Sequence, residues 1–194
     1  MIYKESITKE ELDILPLKSF EGVIHVFNHS RGVNKAVQYL SNFPFLGFDT
    51  ETRPSFKKGQ INRVALLQLS TNDTAFLFRL NQFEIPKSLL KLLANPAIIK
   101  AGAAIRDDIK TLQLNKNFKP GGFVELQDQA KALGINNFSL KKLAGIVLDC
   151  KISKAQQLSN WEADELTEAQ LKYAATDAWI SYLIYKSFIQ KKHE

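Results

Sequence analysis

The sequence predicts an α/β domain with a mixed central sheet flanked by helices. Three observations carry that expectation. Short apolar runs with strand character precede and interleave with helical stretches, the order that places helices on the faces of a partly parallel sheet. The chain has 194 residues, 45% of them hydrophobic, enough to bury one proper core. No internal repeat, low-complexity tract or Gly/Ser linker divides it. The expected organisation is an N-terminal arm over residues 1–20 and one domain over residues 21–194.

Each element has a local reason. In the arm, Thr8 and Glu11 have the spacing of a capping box, and Pro16 ends the short helix they open. GVIHVF at 22–27 reads as a strand and VNKAVQYL at 33–40 as a helix. Three strands follow at 45–51, 63–70 and 74–78, rich in Phe, Val and Leu. A helix is expected over 86–93, a strand over 97–101 and a helix over 105–112. A short strand at 123–124 feeds a helix reaching residue 133. Ser139 caps a helix over 139–144, and the longest helix spans 167–190. That last helix is well signalled. Thr167 and Gln170 form a capping box, Leu166 can staple onto Leu171, and Ala174, Ala175 and Ala178 permit close approach to a sheet.

The chemistry begins in the strand that carries Phe48-Asp49-Thr50-Glu51. Residues i and i+2 of a strand share a face, so Asp49 and Glu51 project together while Phe48 and Thr50 turn the other way. Unpaired buried charge is very costly, and a divalent cation with oxygen ligands is one way to offset that cost. A solvated strand edge is the other. In the last helix Tyr173 and Asp177 stand at i and i+4, on one face. Taken singly they read as a half-buried aromatic and a surface acid. In IRDDIKTL, Ile105, Ile109 and Leu112 form the buried stripe, Asp108 lies beside it and Asp107 points away. Asp107 then serves as an exposed charge favouring the helix N-terminus.

In this order, Asp49, Glu51, Asp108, Tyr173 and Asp177 resemble the DEDDy branch of the 3′–5′ exonuclease superfamily. The stretches FDTET, KAGAAIRDDIKTL and LTEAQLKYAATDAW carry the likeness, and VALLQLS, GFVELQDQAKAL and SLKKLAGIVL fit between them. The resemblance points in particular to the ribonuclease D and Werner-syndrome exonuclease-domain family, and runs from about Phe20 to the end. It implies an RNase H-like fold and metal-dependent hydrolysis of phosphodiester bonds from a free 3′ end, releasing nucleoside 5′-monophosphates. It implies that the four acids hold two Mg²⁺ or Mn²⁺ ions about 3.5–4 Å apart, and that Tyr173 orients the attacking water. A sister branch uses His in place of the Tyr. The only histidines here are His25, His29 and His193, none of them in the third motif.

The net charge of +6 suits a polyanionic partner, DNA or RNA 3′ ends, with DNA slightly favoured through the Werner-type likeness. Thr50, Thr52, Arg53, Lys57, Lys58, Arg63 and Lys142 are the candidate nucleic-acid contacts, with Lys141 and Arg106 nearby; the loop 53–63 is favoured as a group. Trp161 either stacks on a terminal base or plugs the core under the loop before Thr167. Gln68 reads as a buried polar residue bonded within the sheet, and Asp128 as structural. A single Cys150 excludes an intramolecular disulfide and a cysteine-rich zinc site. No apolar stretch approaches a membrane span or a signal-peptide core, so a reducing, cytoplasmic setting without membrane contact is the expectation. A helicase or other nucleic-acid-processing protein acting in trans would supply targeting. The alternatives are a non-catalytic nucleic-acid-binding module and a phosphodiesterase for short oligonucleotides. Oligomeric state leaves no signature in this sequence.

Overall fold

The computed structural model describes residues 3–55, 59 and 61–191. Lys57, Lys58 and His193, named above, lie outside the described residues. In chain order the elements are α1 (Lys9–Asp13), β1 (Val23–Phe27), α2 (Val33–Leu40), β2 (Phe45–Thr52), β3 (Val64–Ser70) and β4 (Thr74–Arg79). Then come α3 (Lys87–Ala94), β5 (Ile99–Gly102), α4 (Ile105–Asn115), β6 (Phe123–Glu125), α5 (Leu126–Ala132), α6 (Leu140–Leu148) and α7 (Glu168–Gln190). Both expected capping boxes form, at Thr8–Glu11 and at Thr167–Gln170.

The six strands make one sheet in the order β1-β4-β3-β2-β5-β6. β3 runs antiparallel to both its neighbours, β2 and β4; β1, β5 and β6 pair in parallel at the edges. One face packs against α2, α3 and α4 through a cluster that includes Val33, Leu40, Phe48, Leu67, Phe78, Leu89, Ile105 and Leu112. The other is covered by α7 and, through Leu126, Leu143, Ile180, Ile184 and Phe188, by α5 and α6. β3 is buried along its whole length, as a central strand covered on both faces must be.

Two helices outrun their expected ends for identifiable reasons. α4 continues to Asn115 because that side chain accepts from the Val64 N–H at 2.9 Å and donates to the Val64 carbonyl at 2.8 Å, closing the end of β3. α6 continues through Gly145, where a side chain would meet Leu12 and Ile7 at under 3 Å; the glycine admits the arm and does not break the helix. Tyr3, Ile7 and Leu12 of the arm are buried in the α6–α7 core, and Leu17 bridges to Lys151.

The contact that matters most for the site is between α7 and β2. A Cβ on Gly47 would lie 1.8 Å from the Ala178 carbonyl oxygen and 2.8 Å from the Tyr182 nitrogen. Main chain therefore rests on main chain, with Ala174, Ala175 and Ala178 fully buried along the helix. Lys100 is also fully buried, a position the sequence did not announce. Its ammonium donates to the carbonyls of Leu92, Asn95 and Ile98 at 2.7–3.2 Å, closing the C-terminal end of α3, and lies 5.1 Å from the Phe123 ring centroid.

Candidate active site

Strand alternation sends Gly47, Asp49 and Glu51 to the α7 face of β2, and the Gly47 contact brings α7 down onto them. Carboxylate oxygens of Asp49, Glu51 and Asp177 consequently lie within 4.8 Å of one another. Asp108 approaches from the opposite face of the sheet on the first turn of α4. It accepts a 2.9 Å hydrogen bond from the Thr50 hydroxyl, whose side chain points away from Asp49 as alternation requires. The structure thus gathers three acids tightly and latches the fourth behind β2, still close enough to act electrostatically on Asp49 and Glu51.

The electrostatics follow from that crowding. Burial, then the charges of Asp177, Glu51 and Asp108, hold the Asp49 carboxyl well above its ordinary range. Burial, then Asp177 and Asp108, lifts Glu51 to about 9. Burial lifts Asp177 to about 7, against a hydrogen bond from the Tyr173 hydroxyl and the positive charge of Lys154. Burial lifts Asp108 to about 6, with the Thr50 hydroxyl opposing it. The Tyr173 phenol is pushed up by burial and by Asp177 and Glu51, so it stays protonated and acts as a hydrogen-bond donor. Shifts of this direction and common origin, on acids gathered at one place, make the cluster a candidate functional site.

A cleft of about 350 Å³ opens over these groups, lined by Asp49, Thr50, Glu51, Tyr173 and Asp177 on one side. Ala103, Ala104, Lys141, Ser153, Lys154 and Gln157 are among the residues that complete it. Ala104 has φ 62°, a left-handed conformation costly for a residue with a side chain. Glu125 holds it there: its carboxylate accepts from the N–H groups of Ala104 and Ile105, both at 2.8 Å. The same carboxylate accepts from the Gln127 N–H at 3.1 Å, at the start of α5. Glu125 thereby satisfies free N–H groups at two helix starts and fixes the turn that carries Asp108.

The expected nucleic-acid contacts divide. Thr50 lines the cleft, but Thr52 lies beyond a register shift in β2 and does not. Arg53 is exposed and pairs with Glu162 at 3.4 Å, and Arg63 lines a separate cavity of about 540 Å³ that Glu162 also borders. Lys142 stands outside the cleft, whereas Lys141 is in its wall. Arg106 is engaged by Asp128. One alternative is decided for the core plug, and one reading needs correction. Trp161 has no exposed surface; it packs among Ala65, Leu66, Leu77 and Ala174 beside Tyr173, leaving no face for a base. Gln68 is buried as expected, but neither its amide nitrogen nor its oxygen finds a hydrogen-bond partner in the sheet. The sequence reading missed Lys154, Ser153 and Gln157, which sit in an irregular loop where no periodicity marks them, and Glu125. Glu125 had a legible signal, an acid at the end of a short strand directly before a helix.

An RNase H-like sheet with carboxylates converging at the end of one central strand defines a domain of the acid-cluster nuclease type. The chain belongs to the 3′–5′ exonuclease family, whose family model matches residues 24–192. It is 37% identical over 153 residues to the mouse (Mus musculus) "Bifunctional 3'-5' exonuclease/ATP-dependent helicase WRN", covering 76% of this chain and 11% of that protein. It superposes with a TM-score of 0.81 and 21% identity on the Aedes aegypti Nibbler EXO domain, covering 91% of this chain and 93% of that one. With Escherichia coli RNase D the TM-score is 0.80 and the identity 19%, over 88% of this chain and 45% of the other. The chain spans 11%, 38% and 24% of the length of three curated relatives, the mouse protein among them.

Proposed function

We propose that this chain is a two-metal-ion 3′–5′ exonuclease that removes nucleoside 5′-monophosphates from a free 3′ end, with DNA slightly favoured over RNA. The observation that carries the reading is the packing of three carboxylates within 4.8 Å at the floor of a cleft. Their oxygen donors fit a hard divalent cation, Mg²⁺ or Mn²⁺, and the burial and neighbouring charges that raise their proton affinities support a cation there. Asp49, Glu51 and Asp177 would hold the first ion, and Asp108, released from Thr50, would join Asp49 in holding the second. Bound there, such ions supply Lewis acidity at the phosphate and lower the pKa of a coordinated water.

The remaining work belongs to the chain itself. The Tyr173 hydroxyl, kept protonated and tied to Asp177, orients the water in line with the terminal phosphorus. Lys154 and Lys141 line the same cleft as the acids and take the phosphate oxygens, which brings a polyanion to a floor that would otherwise repel it. The roughly 350 Å³ of the cleft accommodates one terminal nucleotide. The preference for DNA rests on the Werner-type likeness of the motifs, and the mouse relative's helicase motivates a helicase as partner.

The test is cleavage of 5′-labelled single-stranded DNA and RNA of matched sequence with Mg²⁺, Mn²⁺ or EDTA, with Asp49→Ala as the contamination control. The expected result is a metal-dependent ladder shortening from the 3′ end, stronger on DNA and absent in the variant. Cleavage of neither polymer would overturn the reading in favour of a binding module or a short-oligonucleotide substrate.

A further inference from the structure

Gln68 sits in the middle of β3 with no exposed surface, and both polar atoms of its side chain lack a partner. A buried amide in that state is rare and calls for an explanation. The register supplies its surroundings. Gln68 pairs with Asp49 on β2 and with Leu77 on β4, and directly opposed residues share a face with Cβ atoms about 4.5–5.5 Å apart. Along its own strand the same-face neighbours are Leu66 and Ser70, and the Ser70 hydroxyl, which donates to the Thr71 carbonyl at 2.8 Å, makes no hydrogen bond with Gln68. Leu66 and Leu77 offer nothing. The Asp49 carboxylate is the one acceptor directly opposite.

The amide has two ends, and the other has a matching neighbour. The Trp161 indole is packed against Leu66 and Leu77, the residues that flank Gln68, and its N–H is likewise buried without an acceptor. Indole nitrogen can only donate. It therefore calls for the amide oxygen, which leaves the amide nitrogen for the carboxylate.

We propose that Gln68 is a positioning residue for Asp49: in the metal-loaded protein its Nε2 donates to the Asp49 carboxylate, while its Oε1 accepts the Trp161 indole N–H. The inference rests on the metal-binding reading above and deepens it. Groups that hydrogen-bond to metal-ligating carboxylates fix the orientation of the ligand, and their loss weakens metal binding about 10–100-fold. Gln68 acts through Asp49 and touches neither metal nor substrate.

The substitution Gln68→Met keeps the length of the side chain and removes both polar atoms. The readings are Mn²⁺ affinity by titration calorimetry and melting temperature in EDTA, for wild type and variant. The expected result is an affinity lower by about tenfold or more together with an unchanged or higher melting temperature in EDTA, because an unpaired amide has been removed. Unchanged Mn²⁺ affinity overturns the proposal. So does a fall in affinity that comes with a lower melting temperature in EDTA, which would make Gln68 a packing residue only. A wild-type protein that takes up no Mn²⁺ overturns the metal reading itself, a distinguishable result. Trp161→Phe, which keeps the ring and loses only the indole N–H, should lower Mn²⁺ affinity in the same direction; no change refutes the role given to Oε1. Should Gln68→Met fail to fold, Gln68→Leu decides the matter by the same two readings.

Discussion

Without divalent metal the protein should lose stability as the pH rises from 5 to 8, the reverse of what ion-paired acids produce. In the unfolded chain Asp and Glu ionise near their ordinary values of 3.8 and 4.5, so at pH 5 they have already lost most of their protons. In the folded protein Asp108 holds its proton to about 6, Asp177 to about 7 and Glu51 to about 9. The native state therefore binds more protons across this window, and stability falls with pH until the folded groups ionise. Above pH 5, Asp108 contributes about one pH unit, Asp177 about two and, by pH 8, Glu51 about three, each unit worth about 1.4 kcal/mol. Because the groups are coupled, the contributions do not add, and a net loss of at least about 3 kcal/mol is the expectation. For a chain of this size that lowers the melting temperature by roughly 6–12 °C. Scanning calorimetry in EDTA at pH 5, 6, 7 and 8 measures it directly. Saturating Mn²⁺ should remove or invert the trend, since metal binds the deprotonated acids. Asp177→Asn, which removes a group that titrates near 7 and one of the charges acting on Glu51, should flatten it. A melting temperature that is flat or rises with pH in EDTA would refute the account of the site as buried carboxyls held in their protonated form.

Three further outcomes follow from the same geometry. Tyr173→Phe should slow turnover by about 10²-fold while leaving Mn²⁺ affinity unchanged; calorimetry beside a single-turnover assay separates the two, and a full-speed variant removes the hydroxyl from the mechanism. Lys154→Gln should weaken oligonucleotide binding and reduce its dependence on log salt by about one unit of slope, read by fluorescence anisotropy with a catalytically inactive background. Gly47→Ala should destabilise the fold by about 1–3 kcal/mol or more and depress activity beyond that loss, because the new methyl collides with the α7 backbone; denaturant melts and turnover of the folded fraction measure both.

Elements marked by chemistry in the chain itself were legible from the sequence. The capping boxes at Thr8 and Thr167, the two-residue spacing of Asp49 and Glu51, and the four-residue spacing of Tyr173 and Asp177 are local rules, and the structure obeys them. What depended on distant neighbours was not legible. Nothing around Trp161 says that Leu66 and Leu77 will enclose it, and nothing around Gln68 says that Asp49 will be its opposite number. Gly145 looks like a stop signal until the N-terminal arm is seen to pack against it. Cleft-lining side chains on the loop before α7, Lys154 above all, escaped because irregular backbone has no period to read. The basic residues that sequence proximity favoured, Arg53 and Arg63, cluster instead around Glu162.

The approach of α7 to β2 at Gly47 decides how this domain can drift. In most cores the gap between helix and sheet is filled by side chains, so each exchange of Leu for Ile or Met shifts the helix by a fraction of an ångström. Here the spacer between the strand bearing Asp49 and Glu51 and the helix bearing Asp177 is peptide against peptide, a dimension that side-chain substitution does not alter. The apolar clusters on either side of the sheet can be rewritten extensively while the carboxylates keep their separation. A sheet-and-helix frame of this kind holds a charge cluster to constant calibre under a changing sequence, provided one position stays without a side chain.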